Sequence, residues 1–430
     1  MHEASPAAEC SLHPDCAYRA GRLELDGVEL AAVAAAHGTP CYVYSRANIE
    51  ARLRAYEQAF GDRDHRVCYA VKANDNLAVI RLLGRLGAGF DIVSGGELAR
   101  VLATGARPGD VVFSGVGKRV AEIESALAAG IGCLNVESLD ELERIAAAAV
   151  RLGVIANVAV RVNPDIDAGT HPYISTGLKE NKFGVPVGEA CALYRRIAAD
   201  AALHAAGIAC HIGSQLTSFA PVVDAVREVV ALAGALEDEG IALGHVDVGG
   251  GLGIRYRDEE PPAIGELVRA VLDVVPERYT VMMEPGRSLV GEAGLLLTTV
   301  EYVKDTPAKR FVIVDAAMND LLRPALYEAW HEVRPCIEPA ADAVALPCDV
   351  VGPVCESGDW LARGRELAVA PGDLLAILGA GAYGFAMASN YNARPRPPEI
   401  LIENSGARLV RARERVEDLM RSELDLLGGT

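Results

Sequence analysis

Between residues 67 and 287 the chain repeats one pattern eight times: a short apolar run followed by an Ala/Leu-rich stretch with apolar residues three and four apart. The runs are VCYAVKA near 67, GFDIVS near 89, VVFSG near 111, GCLNVES near 132, VAVRVNP near 158, ACHIGSQ near 209, HVDVGGG near 245 and TVMMEPGR near 280. Between them stand helix-like segments such as GELARVLATG, AEIESALAAG and LDELERIAAAAVRLG, often closed by glycine. Eight strand-helix units predict an α/β chain built on a (β/α)8 TIM barrel, because right-handed crossovers leave few other arrangements; a doubly wound sheet is the alternative. After about residue 293 the texture changes to runs such as LLLTTVEYVKD, RFVIVDA and DLLAILG, punctuated by Pro, Gly and Asp, which predicts a second, β-rich domain of sandwich or barrel type. The expected organisation is a tail over 1–16, a barrel over 45–293, and a β-rich domain made of 17–44 plus 294–430, with the strand-like RLELDGVEL packing onto the C-terminal part.

Each run ends in a residue able to hold a ligand or do chemistry: Lys72, Asp91, Ser114, Asn135, Asn163, His211, Asp247 with its glycines, and Glu284 with Arg287. In a barrel all eight ends face one mouth, where polar side chains converge. Lys72, closing a β-type run, carries an amine that can condense with an aldehyde, pyridoxal 5'-phosphate being the obvious one. Gly249, Gly250 and Gly251 follow the seventh run, where barrels commonly hold phosphate on backbone N–H groups.

A formal charge of −18 argues against nucleic acid or an anionic membrane as partner. No stretch of about twenty apolar residues lacks charges, and MHEASPAAECSLHPDC has no basic segment leading into an apolar one, so a cytoplasmic enzyme is expected. Ten scattered cysteines with no CxxC pair predict reduced, mostly buried thiols. Cys10, His13 and Cys16 lack a fourth ligand at a usual spacing, so no metal site is expected.

Eleven segments, in order and in both predicted domains, carry a family resemblance: YAVKAN, FDIVSGGEL, FSGVGK, NVES, HPYISTGLKENKFG, HIGSQ, DVGGGLGI, EPGRSLV, DAAMNDLLRPALY, GPVCESGDWLA and GAYGFAMASNYNARPRP. Through them the chain resembles the alanine-racemase-like (fold type III) pyridoxal-phosphate decarboxylases, and among these the diaminopimelate decarboxylases. Ala317, where glycine is commoner, and the acid-poor, cysteine-bearing tail are its two departures.

The resemblance implies pyridoxal 5'-phosphate on Lys72, Glu284 paired with the pyridine nitrogen, and His211 against one ring face. Phosphate and ring contacts fall to Ser214, Gly249, Gly250, Gly251, Pro285, Gly286, Arg287 and Tyr383. The second amino-acid head of diaminopimelate would be read by Arg287, Arg323 and Tyr327 at its carboxylate and Glu356 at its ammonium, with Tyr383 touching cofactor and substrate. Cys355, in CESGD, would protonate Cα in the partner subunit of a homodimer, a task suited to a thiol of ordinary pKa about 8.5. HPYISTGLKENKFG would be a lid, with Lys179 and Lys182 attracting the acidic substrate. The implied reaction converts meso-2,6-diaminopimelate to L-lysine and CO2. Alternatives are a sister decarboxylase acting on ornithine, arginine or carboxynorspermidine, and a silent cofactor-binding homologue. An alanine racemase would need a second base, usually a tyrosine, where Cys355 stands.

Overall fold

The computed structural model describes residues 16–166 and 181–427, less the side chain of residue 425. They form two compact units, one of 50–254 with 260–289, the other of 16–49, 255–259 and 290–427.

The first unit is the barrel. Its strands are β1 (His65–Ala70), β2 (Gly89–Ile92), β3 (Val111–Phe113), β4 (Cys133–Val136), β5 (Ala156–Asn163), β6 (Leu203–Cys210), β7 (His245–Asp247) and β8 (Thr280–Met283). Every neighbouring pair is parallel, and the ring closes where β8 meets β1 at Val281 and His65. Cys68, Val112, Cys133, Ala159 and Met282, from five strands, pack together in the interior. Strand side chains alternate between faces, so the residue two places further along each strand points the same way but nearer the mouth. That rule carries Val112 to Ser114, Cys133 to Asn135, Ala159 to Arg161 and Met282 to Glu284. The apolar floor therefore gives way to a polar layer within one pleat.

Capped helices take the chain back. Asn76 Oδ1 accepts from the Ala78 amide at 2.8 Å, and Ser94 and Ser138 cap their helices at 3.2 Å through the Glu97 and Glu141 amides. The serines of FDIVSGGEL and NVES are thus helix starts, as is Asn76 two residues after YAVKAN, and they turn the chain sharply at the mouth. The segment HPYISTGLKENKFG reaches the described residues only at Asn181–Gly184; Lys179 lies outside them.

The second unit is β-rich. Its long strand Gly294–Asp305 pairs antiparallel with Cys41–Ser45, Arg310–Val314 and Leu374–Ile377. Alternate residues bury both faces. Tyr42, Tyr44, Leu296, Val312 and Ile377 fill one core, while Cys41, Val43, Leu295, Leu297 and Ile400 fill another, against the hairpin and helix that begin the described chain. Cys16 opens that hairpin in strand Cys16–Arg19 and is buried. Residues 255–259 join this unit because Tyr256 packs edge-on against His331 at 5.4 Å and the Arg257 guanidinium lies 4.4 Å from the Trp330 ring centre. Among the described residues no helix is long and apolar enough to cross a membrane, and no cluster of potential metal ligands occurs.

Candidate active site

Lys72 sits in a single 3-10 turn, Val71–Ala73, directly after β1. The Tyr69 hydroxyl pins that turn by donating to the Asn74 carbonyl at 2.8 Å. Gly286 packs onto its back: a Cβ there would stand 3.0 Å from that of Ala73 and 3.1 Å from that of Ala70. The Ala70 amide donates to the Pro285 carbonyl at 3.1 Å. The EPG turn and the lysine turn therefore hold each other in place.

Lys72 Nζ lies 2.5 Å from Oδ2 of the fully buried Asp91. The amine and this carboxylate form an ion pair.

Around Lys72 a cavity of about 190 Å³ is lined by Ser114, Asn135, Arg161, His211 and Glu284 among others. Glu284 and Asp247 share a buried hydrogen bond, and burial with the nearby carboxyls pushes Glu284 well above the usual range. Burial raises Asp247 as well, to about 6. Glu284 is the member that keeps the proton. Its Oε1 accepts from Ser114 at 3.3 Å and Asn135 at 3.5 Å, and Asn135 also donates to Asp247 at 3.3 Å. His211 is held well below its ordinary pKa, first by burial, then by the Arg161 and Lys72 charges. Its Nδ1 accepts from the Gly250 amide at 3.2 Å, so the neutral ring carries its proton on Nε2.

The glycine turn after β7 is required sterically. A Cβ on Gly249 would meet the Cys210 carbonyl oxygen at 2.6 Å, one on Gly250 the Glu284 carbonyl oxygen at 2.2 Å, and one on Gly251 the Gly213 carbonyl oxygen at 2.5 Å. Gly249 and Gly251 also have φ of 68° and 113°. Two of the three amides are already used, Gly249 by Asp247 at 2.9 Å and Gly250 by His211. Arg287 is buried and donates to the Ser214 hydroxyl at 3.1 Å.

The second unit carries the remaining sequence-predicted residues. Arg323 and Tyr327 bound a five-residue helix, with Pro324 in its first turn, where a missing N–H costs nothing. Arg323 is buried and meets His331 Nε2 at 2.8 Å. Cys355 and Glu356 are exposed. The Cys355 thiol donates to Asn392 Oδ1 at 3.7 Å, and Glu356 accepts from the Tyr391 hydroxyl. Asp359 shapes this CESGD turn, its two oxygens accepting the Met318 and Val354 amides at 2.7 Å each. Tyr383 has φ 56°, in the left-handed region. Ala317 is fully buried and takes no positive φ, so alanine fits where glycine is commoner.

The sequence matches what this geometry suggests. Residues 46–291 fit the family model for the pyridoxal binding domain of pyridoxal-dependent decarboxylases. Over 407 residues the chain is 55% identical to the diaminopimelate decarboxylase of Pseudomonas aeruginosa, an alignment covering 94% of this chain and 98% of that one. The chain belongs to the diaminopimelate decarboxylase family. The fold agrees: the diaminopimelate decarboxylase of Helicobacter pylori in complex with L-lysine superposes with a TM-score of 0.89 at 45% identity, covering 92% of this chain and all of that one. The M. jannaschii enzyme in complex with L-lysine gives 0.89 at 41% identity, covering 94% and 96%.

The cofactor of this family of decarboxylases is pyridoxal 5'-phosphate, and the cavity suits it. An amine, a buried carboxyl pushed well above the usual range and a neutral imidazole line one cavity, and the glycine turn after β7 holds that imidazole through the Gly250 amide. Beyond the residues expected from sequence, the structure brings in Arg161 and Glu137. Arg161 Nη1 donates to Glu137 Oε1 at 2.9 Å, and Glu137 also accepts the Gly115 and Gly184 amides at 3.1 and 2.8 Å, tying three loops together. The alternation in VAVRVNP held the signal, since Arg161 shares the face of Ala159. Asn163, the expected strand-end residue, instead donates to the Phe183 carbonyl at 3.1 Å and shapes its loop.

Proposed function

We propose that this chain decarboxylates meso-2,6-diaminopimelate to L-lysine and CO2, the last step of bacterial lysine biosynthesis, as a cytoplasmic homodimer whose active sites draw on both subunits. The observation that carries the reading is the meeting of Lys72, His211 and Glu284 around one cavity at the carboxyl ends of the barrel strands. Bound there, pyridoxal 5'-phosphate supplies a sink for the electron pair left on Cα when CO2 departs. Lys72 would hold it through its side-chain amine, and Asp91, 2.5 Å from that amine, would hold the lysine ammonium when the amine is free. Glu284 would partner the ring nitrogen, since its raised proton affinity would let it share a proton with a nitrogen base. His211, neutral and fixed by Gly250, offers a ring face that orients the scissile bond.

Gly251 in its glycine turn, Ser214, Gly286 and Arg287 are assigned to the phosphate side, and Tyr383 to cofactor and substrate. Arg323 and Tyr327 would take the distal carboxylate and Glu356 the distal ammonium. Cys355, whose thiol already acts as a donor to Asn392, would protonate Cα in the partner's site. The cytoplasmic assignment is supported by the nine described cysteines, all free thiols, as expected in a reducing compartment.

Purified protein with pyridoxal 5'-phosphate is incubated separately with meso-diaminopimelate, lysine, ornithine and arginine. Carbon dioxide should appear with diaminopimelate alone, in step with L-lysine. Release from ornithine or arginine at comparable rates would favour the sister decarboxylases instead.

A further inference from the structure

Arg323 is held by more than its own helix. Its Nη1 stands 2.8 Å from Nε2 of His331, a side chain with no solvent exposure. The other ring nitrogen, Nδ1, lies 2.8 Å from the Leu378 carbonyl oxygen. A carbonyl can only accept, so Nδ1 carries the imidazole proton and Nε2 is left as the acceptor for the guanidinium. Tyr256 completes the arrangement. Its ring lies 4.4 Å below the Arg323 guanidinium and edge-on to His331 at 5.4 Å. Gly379 makes room for both rings, with φ 66° and a Cβ position 3.4 Å from Tyr256. The His331 backbone is fixed as well, its carbonyl accepting Arg365 Nη2 at 2.9 Å.

A bonded edge and a stacked face restrain a guanidinium in both of the directions in which it could turn. From this geometry we infer that His331 and Tyr256 are positioning residues for substrate recognition, presetting Arg323 to receive the carboxylate that the reaction leaves intact. The inference rests on the proposed role of Arg323. Preorganisation of this kind acts on binding, because the ordering of a long flexible side chain is completed before substrate arrives. The carboxylate that remains is present in diaminopimelate and in lysine but missing from 1,5-diaminopentane, so these ligands separate the effect from general damage to the fold.

The holoenzyme is compared with His331→Phe, His331→Gln, Tyr256→Leu and Arg323→Met. Steady-state kinetics with diaminopimelate and inhibition constants for L-lysine and 1,5-diaminopentane are measured at matched cofactor occupancy. His331→Phe should raise KM and the lysine inhibition constant at least tenfold, with kcat within about threefold and the diamine constant unchanged, as loss of one bond to a charged donor predicts. His331→Gln, which restores an acceptor, should recover most of the loss. Tyr256→Leu should give the same pattern more weakly and serves where the buried phenylalanine does not fold. If Arg323→Met weakens lysine but neither the His331 nor the Tyr256 variants do, the positioning role is wrong and the substrate role stands. If Arg323→Met leaves lysine binding unchanged, the assigned role of Arg323 falls and this inference with it.

Discussion

At the scale of single residues the barrel mouth is a problem in burying acids. Asp91, Asp247 and Glu284 crowd together with one nearby ammonium, and the low-dielectric surroundings push Glu284 well up and Asp247 to about 6. The consequence for stability has a definite sign. An acid whose folded pKa lies above its unfolded value of about 3.9 binds more protons folded than unfolded, so its contribution is present at low pH and lost as pH rises through about 6. For Asp247 this amounts to a few kcal/mol at most, at about 1.4 kcal/mol per pKa unit. Urea unfolding of cofactor-free protein between pH 4 and 7 should therefore show Asp247→Asn gaining on wild type as pH rises. A difference that stayed flat with pH would mean that Asp247 is ionised throughout. Lys72 carries a second prediction: borohydride reduction of the holoenzyme should leave the cofactor on one peptide, containing Lys72. Label on Lys118 would contradict the site. The structure argues against that outcome, since Lys118 Nζ donates to the Gly115 and Asn135 carbonyls and to Glu141 at 2.8, 2.6 and 2.7 Å, using all three hydrogens.

At the scale of elements the turns after the strands decide what the mouth can hold. Gly250→Ala would drive a Cβ to 2.2 Å from the Glu284 carbonyl oxygen, which no side-chain rotation relieves. Cofactor affinity should fall at least tenfold, read by equilibrium titration of the cofactor absorbance, because the turn, the His211 anchor and the Glu284 backbone must all shift. Gly234→Ala is the contrast. It lies in helix Ala220–Asp238 with open space where the Cβ would go, and should stabilise the protein by about 0.5–1 kcal/mol in chemical denaturation. These cases also show what could be read in advance. The eight strands were legible because alternation and glycine-closed helices are local signals, and Lys72, His211 and Glu284 were legible because each ends such a run. The Glu137 hub was not, since its partners at Gly115, Arg161 and Gly184 lie 22, 24 and 47 residues away. The glycine turn was legible as a place and less so as a mechanism: only the structure shows that the Gly249 and Gly250 amides already serve Asp247 and His211. The passage of 255–259 into the second unit had no sequence signal either, for RYRDE reads as an ordinary polar loop until Trp330 and His331 are placed against it.

At the scale of the whole molecule the proposed division of labour gives each active site its lysine from one chain and its thiol from the other. Within a single chain the two residues belong to different compact units, Lys72 to the barrel and Cys355 to the β-rich unit, where it is exposed while seven of the other described cysteines are buried. Burial holds several of those thiols protonated and inert, with Cys41 and Cys210 pushed up to about 12. An exposed thiol on a turn shaped by Asp359 is the exception, and the proposal explains it as a group presented to a neighbour. Lys72→Ala and Cys355→Ala homodimers should each be nearly inactive, the first failing to anchor the cofactor and the second binding it but slowed by roughly 10²–10⁴-fold in protonating Cα. In a mixed dimer one site collects both defects and the other collects neither. Mixing the two variants under conditions of subunit exchange should therefore restore activity to about half the wild-type rate per hybrid dimer, measured as lysine formation alongside native mass spectrometry of the dimer population. Hybrids that form and stay inactive would place Cys355 in its own chain's site or outside the chemistry, and the shared site would have to be abandoned.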